Sequence, residues 1–252
     1  MKVDGRAFVL PVALIVLAEI GARAHGASDS LAPPSAIVLA FFEALGDGSL
    51  LIATRDTLIS AFAGLVLGGA IGLIVGVAIG AVPALNRALE ATVELIRPIP
   101  SVALVPIALV ALGFGYRLEI AIVSYACVWP LLLLTRAAVA GVEPRLIEVA
   151  RALRFGPFSR MIKIVVPAAL PRIFVAFRLA AGVALIVAVT VEIAVNPIGL
   201  GAGIMTAGQA LRPELMLAYL VWIGLVGFAL NALLVIAQRR LFGRAAQIAE
   251  AS

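Results

Sequence analysis

Covalent chemistry needs a nucleophile beside a base, a set of metal ligands, or a cradle for phosphate. One histidine (His25) and one cysteine (Cys127) provide no zinc set. They form no thiol–imidazole couple in the sequence pattern either, because Cys127 stands in an unbroken apolar run and His25 outside one. No Gly-x-x-x-x-Gly-Lys-Ser/Thr phosphate loop is present. The chain is therefore expected to bind no metal and no nucleotide of its own. The chemistry left to it is that of polar groups set in apolar runs. Arg178 and Glu192 lie fourteen residues apart in one such run, about 21 Å along a straight helix, too far to pair. Arg178 reads as a structural charge that snorkels to a surface or holds a neighbouring loop. Glu192 precedes Asn196-Pro197-Ile198-Gly199, where a helix must break. It either faces a wet cavity there or supports the helix end. Asn231, Ser124, Tyr125 and Thr190 suit interhelical hydrogen bonds, with substrate contact as the second reading.

The elements that must position these residues follow from composition. Of 252 residues 63% are hydrophobic and only 13% charged, against about 45–50% and ~25% in soluble domains. A soluble core of this size cannot hide that much apolar surface, so the solvent is lipid. Nothing alternates with period two, which favours helices over a barrel. About 20 apolar residues cross a ~30 Å hydrocarbon core, which predicts six spans near 7–24, 55–82, 99–115, 118–139, 173–195 and 215–238. The first is read as a retained anchor, although Lys2, Arg6 and Ala22-Arg23-Ala24 also fit a cleavable signal peptide. With the N-terminus inside, fourteen Lys and Arg residues fall on the inner side and four outside, which places both termini and the 140–172 loop in the cytoplasm. The +5 charge is thus read as topology, not as a nucleic-acid footprint.

Gly64, Gly68, Gly72, Gly76 and Gly80 recur every four residues in the second span. Overlapping Gly-x-x-x-Gly units let backbones approach closely. That face either packs within the subunit or, through Gly72 and Gly76, borders a pathway or a dimer contact.

The inner loop carries its own pattern. Pro144 suits a first helical turn, and Leu146, Val149, Ala150 and Leu153 share a face. Gly156-Pro157 is a breaker, and a second short amphipathic segment runs from Phe158 to Val166 and is expected to end at Pro167. Two short helices with an apolar stripe and many cations suit a groove on a soluble partner, or anionic headgroups.

At this point the chain resembles the permease subunits of binding-protein-dependent ABC importers. Their hallmark is Glu-Ala-Ala, three residues, Gly, nine residues, then Ile-x-Leu-Pro. Here Glu148, Ala150, Ile164 and Pro167 match, Val149 and Val166 are mild departures, and Arg154 stands at the Gly position. The family Gly marks the turn between the two helices, a turn that Gly156 is expected to supply here, beside Phe155. Ile96-Arg97-Pro98-Ile99-Pro100, Pro167-Ala-Ala-Leu-Pro171, Phe177-Arg178-Leu179 and Gly199-Leu200-Gly201 resemble the nitrate, sulfonate and taurine branch. The resemblance implies an all-α membrane fold with an anchor and periplasmic segment (1–53), a permease core (54–240) holding the coupling loop (141–171), and a tail (241–252). It implies a bacterial inner-membrane importer subunit for a small anion such as a sulfonate, taurine or nitrate. Its implied partners are an ABC ATPase subunit dimer that binds the ATP and magnesium, a periplasmic substrate-binding protein, membrane lipid, and a second permease copy, a homodimer being expected. An ion-driven secondary transporter, the alternative, would show internal repeats and more midplane charge.

Overall fold

The computed structural model describes residues 9–24 and 32–251, with side chains as far as residue 243. Lys2, Arg6 and His25 lie outside the described residues. Every described element is helical: α1 (Val9–Ala24), α2 (Pro34–Gly46), α3 (Ser49–Ala81), α4 (Pro83–Ile96), α5 (Val105–Leu112), α6 (Tyr116–Ala140), α7 (Pro144–Ala152), α8 (Pro157–Arg160), α9 (Val166–Ala194), α10 (Leu200–Gln209) and α11 (Pro213–Ala251). A 3₁₀ turn (Ser101–Leu104) precedes α5, and a π turn (Met161–Val165) joins α8 to α9.

The glycine ladder decides how the body packs. A Cβ on Gly76 would lie 2.7 Å from the Leu132 carbonyl oxygen, and one on Gly80 would lie 2.9 Å from that of Arg136. Gly64 meets Val123, Gly68 meets the backbone of Ser124, and Gly72 meets Val128 and Leu131 in the same way. Backbone therefore rests on backbone along nearly the whole length of α3 and α6. Both helices advance together along this contact, so they run parallel, with Asp56 beside Tyr116 at the other end. Alanines of α9 (Ala176, Ala180, Ala184, Ala188) close the third side of the core.

A parallel pair forces the chain to return between its members. That return covers the length of α3 from Gly80 to Asp56, roughly 36 Å at ~1.5 Å per residue. The expected third span, 99–115, is too short for it as found: α5 has eight residues, about 12 Å. The return is made instead by α4 together with the 101–112 segment, two helices bent by 75°. The break falls at Arg97-Pro98-Ile99-Pro100: Arg97 still has helical backbone angles, and Pro98 and Pro100 then remove two N–H donors that would carry α4 onward. Tyr125 donates its hydroxyl to the Ile96 carbonyl at 3.0 Å and so satisfies a helix-end acceptor there.

Four described helices or helical runs are long and apolar enough to cross a membrane, or five with the bent pair counted as one span. α1, the expected anchor, has 16 residues and no buried residue. The fifth span starts earlier than expected, since Pro157–Ala194 is one helical run. Pro167 does not end it. The Val166 N–H reaches back to the Met161 carbonyl, five residues earlier. This wider turn makes room for the missing donor and the ring of Pro167. α2, in the expected periplasmic segment, packs Phe41 and Ala44 against Leu200 and Tyr219.

The seam predicts an overpacking defect. Gly72→Leu should lower the stability of the detergent-solubilised protein by at least ~3 kcal/mol. Gly224→Ala, where an added Cβ meets nothing within 4 Å, should leave it unchanged or raise it by about 1 kcal/mol. Thermal unfolding of the two variants separates a tight seam from a loose one.

Candidate functional site

The loop between α6 and α9 is held to the body by a small apolar cluster. Val142, Val165, Ala169 and Ile173 pack with Ala138 and Val139, and Arg172 donates to the Gly141 carbonyl at 3.4 Å. On this footing α7 starts at Pro144, whose missing N–H costs nothing in a first helical turn. Ala150 is fully buried, and its small side chain lets α7 sit down on the loop. The rest of the predicted stripe turns outward: Leu146, Val149 and Leu153 are exposed, as are Phe158 and Ile162 on the second segment. Phe158 is 78% exposed. Glu148 is exposed among them, Ile164 is half-buried and Pro167 exposed. Arg145, Arg151 and Lys163 are exposed around the strip as well.

The turn between the two short helices is made by Arg154, not by Gly156. Arg154 has φ +54°, whereas Gly156 is extended at φ −64°, ψ 163°, a conformation open to any residue. The Phe155 N–H returns to the Ala150 carbonyl and the Arg154 N–H to that of Arg151, the paired bonds that close a helix on a left-handed residue. Glycine holds this place in the family pattern because it adopts that conformation without penalty. Arg154 does so against a steric cost of about 1–2 kcal/mol. Phe155 is half-buried and carries the Lys163 ammonium 5.4 Å from its ring centre.

A second cluster lies at the opposite end. Here α9 stops at Ala194 and α10 begins at Leu200. Gly201 donates to the Glu192 carboxylate at 2.7 Å and Leu200 donates to Thr57 at 2.9 Å, so two first-turn N–H groups of α10 find partners. Gly199 and Gly201 leave no room for a Cβ against the Glu192 side chain. Asn196 donates to Glu119 at 2.8 Å and accepts from the Gly115 N–H at 2.7 Å. Glu119 and Glu192 are both buried. This cluster binds α3, α6, α9 and α10 together. Sequence reasoning misses Glu119, which lies at the very start of the expected fourth span, 118–139, and is given no role there.

The remaining candidates separate. Gly72 and Gly76 are buried in the α3–α6 seam. Arg178 donates to Gln238 of α11 at 3.2 Å. Asn231 borders a cleft of about 180 Å³ between α9 and α11, together with Arg178, Gly182 and Gly227. Thr190 bonds its own helix at the Ile186 carbonyl rather than a neighbouring one. Cys127 is buried against the Ala180 carbonyl.

The described chain is thus a body of long apolar helices with an apolar, cation-rimmed loop at one end. The chain belongs to the family of binding-protein-dependent transport system inner membrane components, whose pattern matches residues 64–247. It is thus the transmembrane subunit of an ABC importer, a transport rather than a catalytic family, and membership implies an ATPase and a substrate-binding protein as partners. Among relatives, a Bacillus subtilis protein provisionally named an aliphatic sulfonates transport permease is 27% identical over 94% of this chain and 86% of its own length. The nitrate import permease of Leptolyngbya laminosa is 28% identical over 70% of this chain and 60% of its own length. A chain of the methionine ABC transporter, solved in an inward-facing form, shares the fold with a TM-score of 0.68 at 23% identity, over 76% of this chain and 95% of that one.

The strain at Arg154 predicts that Arg154→Gly stabilises the loop by about 1 kcal/mol. Hydrogen exchange at the Phe155 amide should slow by roughly fivefold, and Arg154→Val should speed it.

Proposed function

We propose that this chain, as a homodimer in the bacterial inner membrane with both termini in the cytoplasm, encloses the substrate pathway of an anion importer. The 141–171 loop is the handle gripped by a separate ATPase dimer. ATP and magnesium bind there, and this chain contributes no nucleotide site. The observation that carries this reading is the exposed strip of Leu146, Val149, Leu153, Phe158 and Ile162, an apolar surface that water leaves unsatisfied and a groove on a partner would cover. The arginines and Lys163 around it surround the contact with charge. The body transmits the movement as one piece, because the loop is seated on the ends of α6 and α9. A periplasmic binding protein delivers substrate at the opposite end, where the Glu192 and Glu119 cluster holds α10 in place.

A small anion is the substrate class this reading favours, a sulfonate, taurine or nitrate. The names of the sulfonate and nitrate relatives support it. Among the pathway candidates Asn231 opens on free volume, whereas Glu192 acts through the helix it holds, and Gly72 and Gly76 act through the seam.

Combining Glu148→Arg with Phe158→Asp should leave the membrane body folded and break the link to the motor. In proteoliposomes containing the full complex, uptake should fall at least tenfold while the ATPase subunits still hydrolyse ATP. Uptake that stays coupled to hydrolysis in this variant contradicts the docking assignment.

A further inference from the structure

The charged residues of α4 form a second pattern. Arg87, Glu90, Glu94 and Arg97 recur at i, i+3, i+7 and i+10, which puts all four within roughly 80° of one helix face. All four are exposed. The other face is apolar: Leu85, Leu89 and Val93 pack on Ile79 and Leu132. Such a helix reads from sequence as a surface element at the inner end of α3. Its contacts show instead that it climbs alongside α6. Glu90 faces Arg136 at 3.4 Å near the end of α6, Val93 meets Leu132, and the Ile96 carbonyl meets the Tyr125 hydroxyl. From Glu90 to Arg97 the chain climbs about 10 Å, a third of the ~30 Å hydrocarbon thickness. Arg97 therefore stands well inside the helical body from the Glu90–Arg136 pair, at a break in the crossing, and its side chain forms no ion pair or hydrogen bond among the described residues.

A charge at that depth is not left to face lipid; it faces water or a partner. Non-helical backbone at membrane depth is tolerated where it lines a cavity, and broken helices hold the substrate sites of other membrane transporters. We infer that the α4 stripe lines the aqueous pathway and that Arg97, at its deep end, is the residue that receives the substrate anion. This rests on the anion-importer reading and supplies the binding group that reading lacks. The planar guanidinium offers paired donors to a carboxylate-like, nitrate or sulfonate group. Glu94, one turn earlier on the same face, keeps the attraction local, as a site that must also release its anion requires.

The test uses the reconstituted complex with its ATPase and binding protein. Cys127, the single native thiol, is buried and sets the unreactive baseline. In a Cys127→Ala background, Glu94→Cys and Arg97→Cys should react with a charged, membrane-impermeant methanethiosulfonate at least tenfold faster than that baseline. Arg97→Gln should lower uptake of nitrate and ethanesulfonate at least tenfold with ATP hydrolysis retained, and Arg97→Lys should recover part of it. An Arg97→Cys variant whose new thiol stays at the baseline rate, or only forms a disulfide with a second copy, overturns the inference, as does unchanged uptake by Arg97→Gln. Fast labelling in a complex whose unmodified form takes up neither probe anion contradicts the anion-importer reading and leaves the aqueous position of Arg97 standing.

Discussion

The backbone contact between α3 and α6 is the constraint on which the rest depends. Five glycines at four-residue spacing remove the side chains that would hold two helices apart. In lipid, where no hydrophobic force drives helices together, such close packing is the main source of association. Because the two helices are parallel, the chain must cross back between them, and the crossing is broken by Pro98 and Pro100. The position of Arg97 at the break and the placement of α4 both follow from that requirement. The same seam aligns the far ends of α3 and α6, so that Asp56, Thr57 and Glu119 come to lie beside the start of α10.

The two ends of the body differ in how they are held. At one end buried polar groups bond to one another across four helices, and Glu192 and Thr57 satisfy backbone donors that lipid could not. At the other end the contacts are small and apolar, and the loop presents its larger side chains to the outside. A polar network fixes relative positions, whereas an exposed apolar strip remains available to a partner. The division suits a part that must stay assembled at one end and be pulled at the other.

Much of this is legible in the residues. The long apolar runs mark α3, α6, α9 and α11, and Glu148, Ala150, Ile164 and Pro167 mark the loop. The broken crossing is not legible, although its prolines are visible, because no local pattern tells which helices run parallel. Glycine is the usual choice for a left-handed residue, which points the turn to Gly156. The structure places it at Arg154 because α7 ends at Ala152, and the bonds that close a helix fall at fixed offsets from its end. Pro167 looks like a terminator, but the π turn before it gives the helix a way through. Glu119 escapes notice because its partner, Asn196, is 77 residues away. α2 is hidden in a segment too short for a span, and its packing depends on α10 and α11.

The central claim is that a separate motor moves this membrane body by the 141–171 loop. Disulfide trapping from Val149→Cys in a Cys127→Ala background measures it most directly, with single cysteines placed along the ATPase surface of the purified complex. The account predicts a reducible cross-link to the ATPase subunit, with a yield that changes when ATP is bound and when it is hydrolysed. A Val149→Cys thiol that never cross-links to the ATPase, and reacts only with reagents added from the periplasmic side, would contradict it.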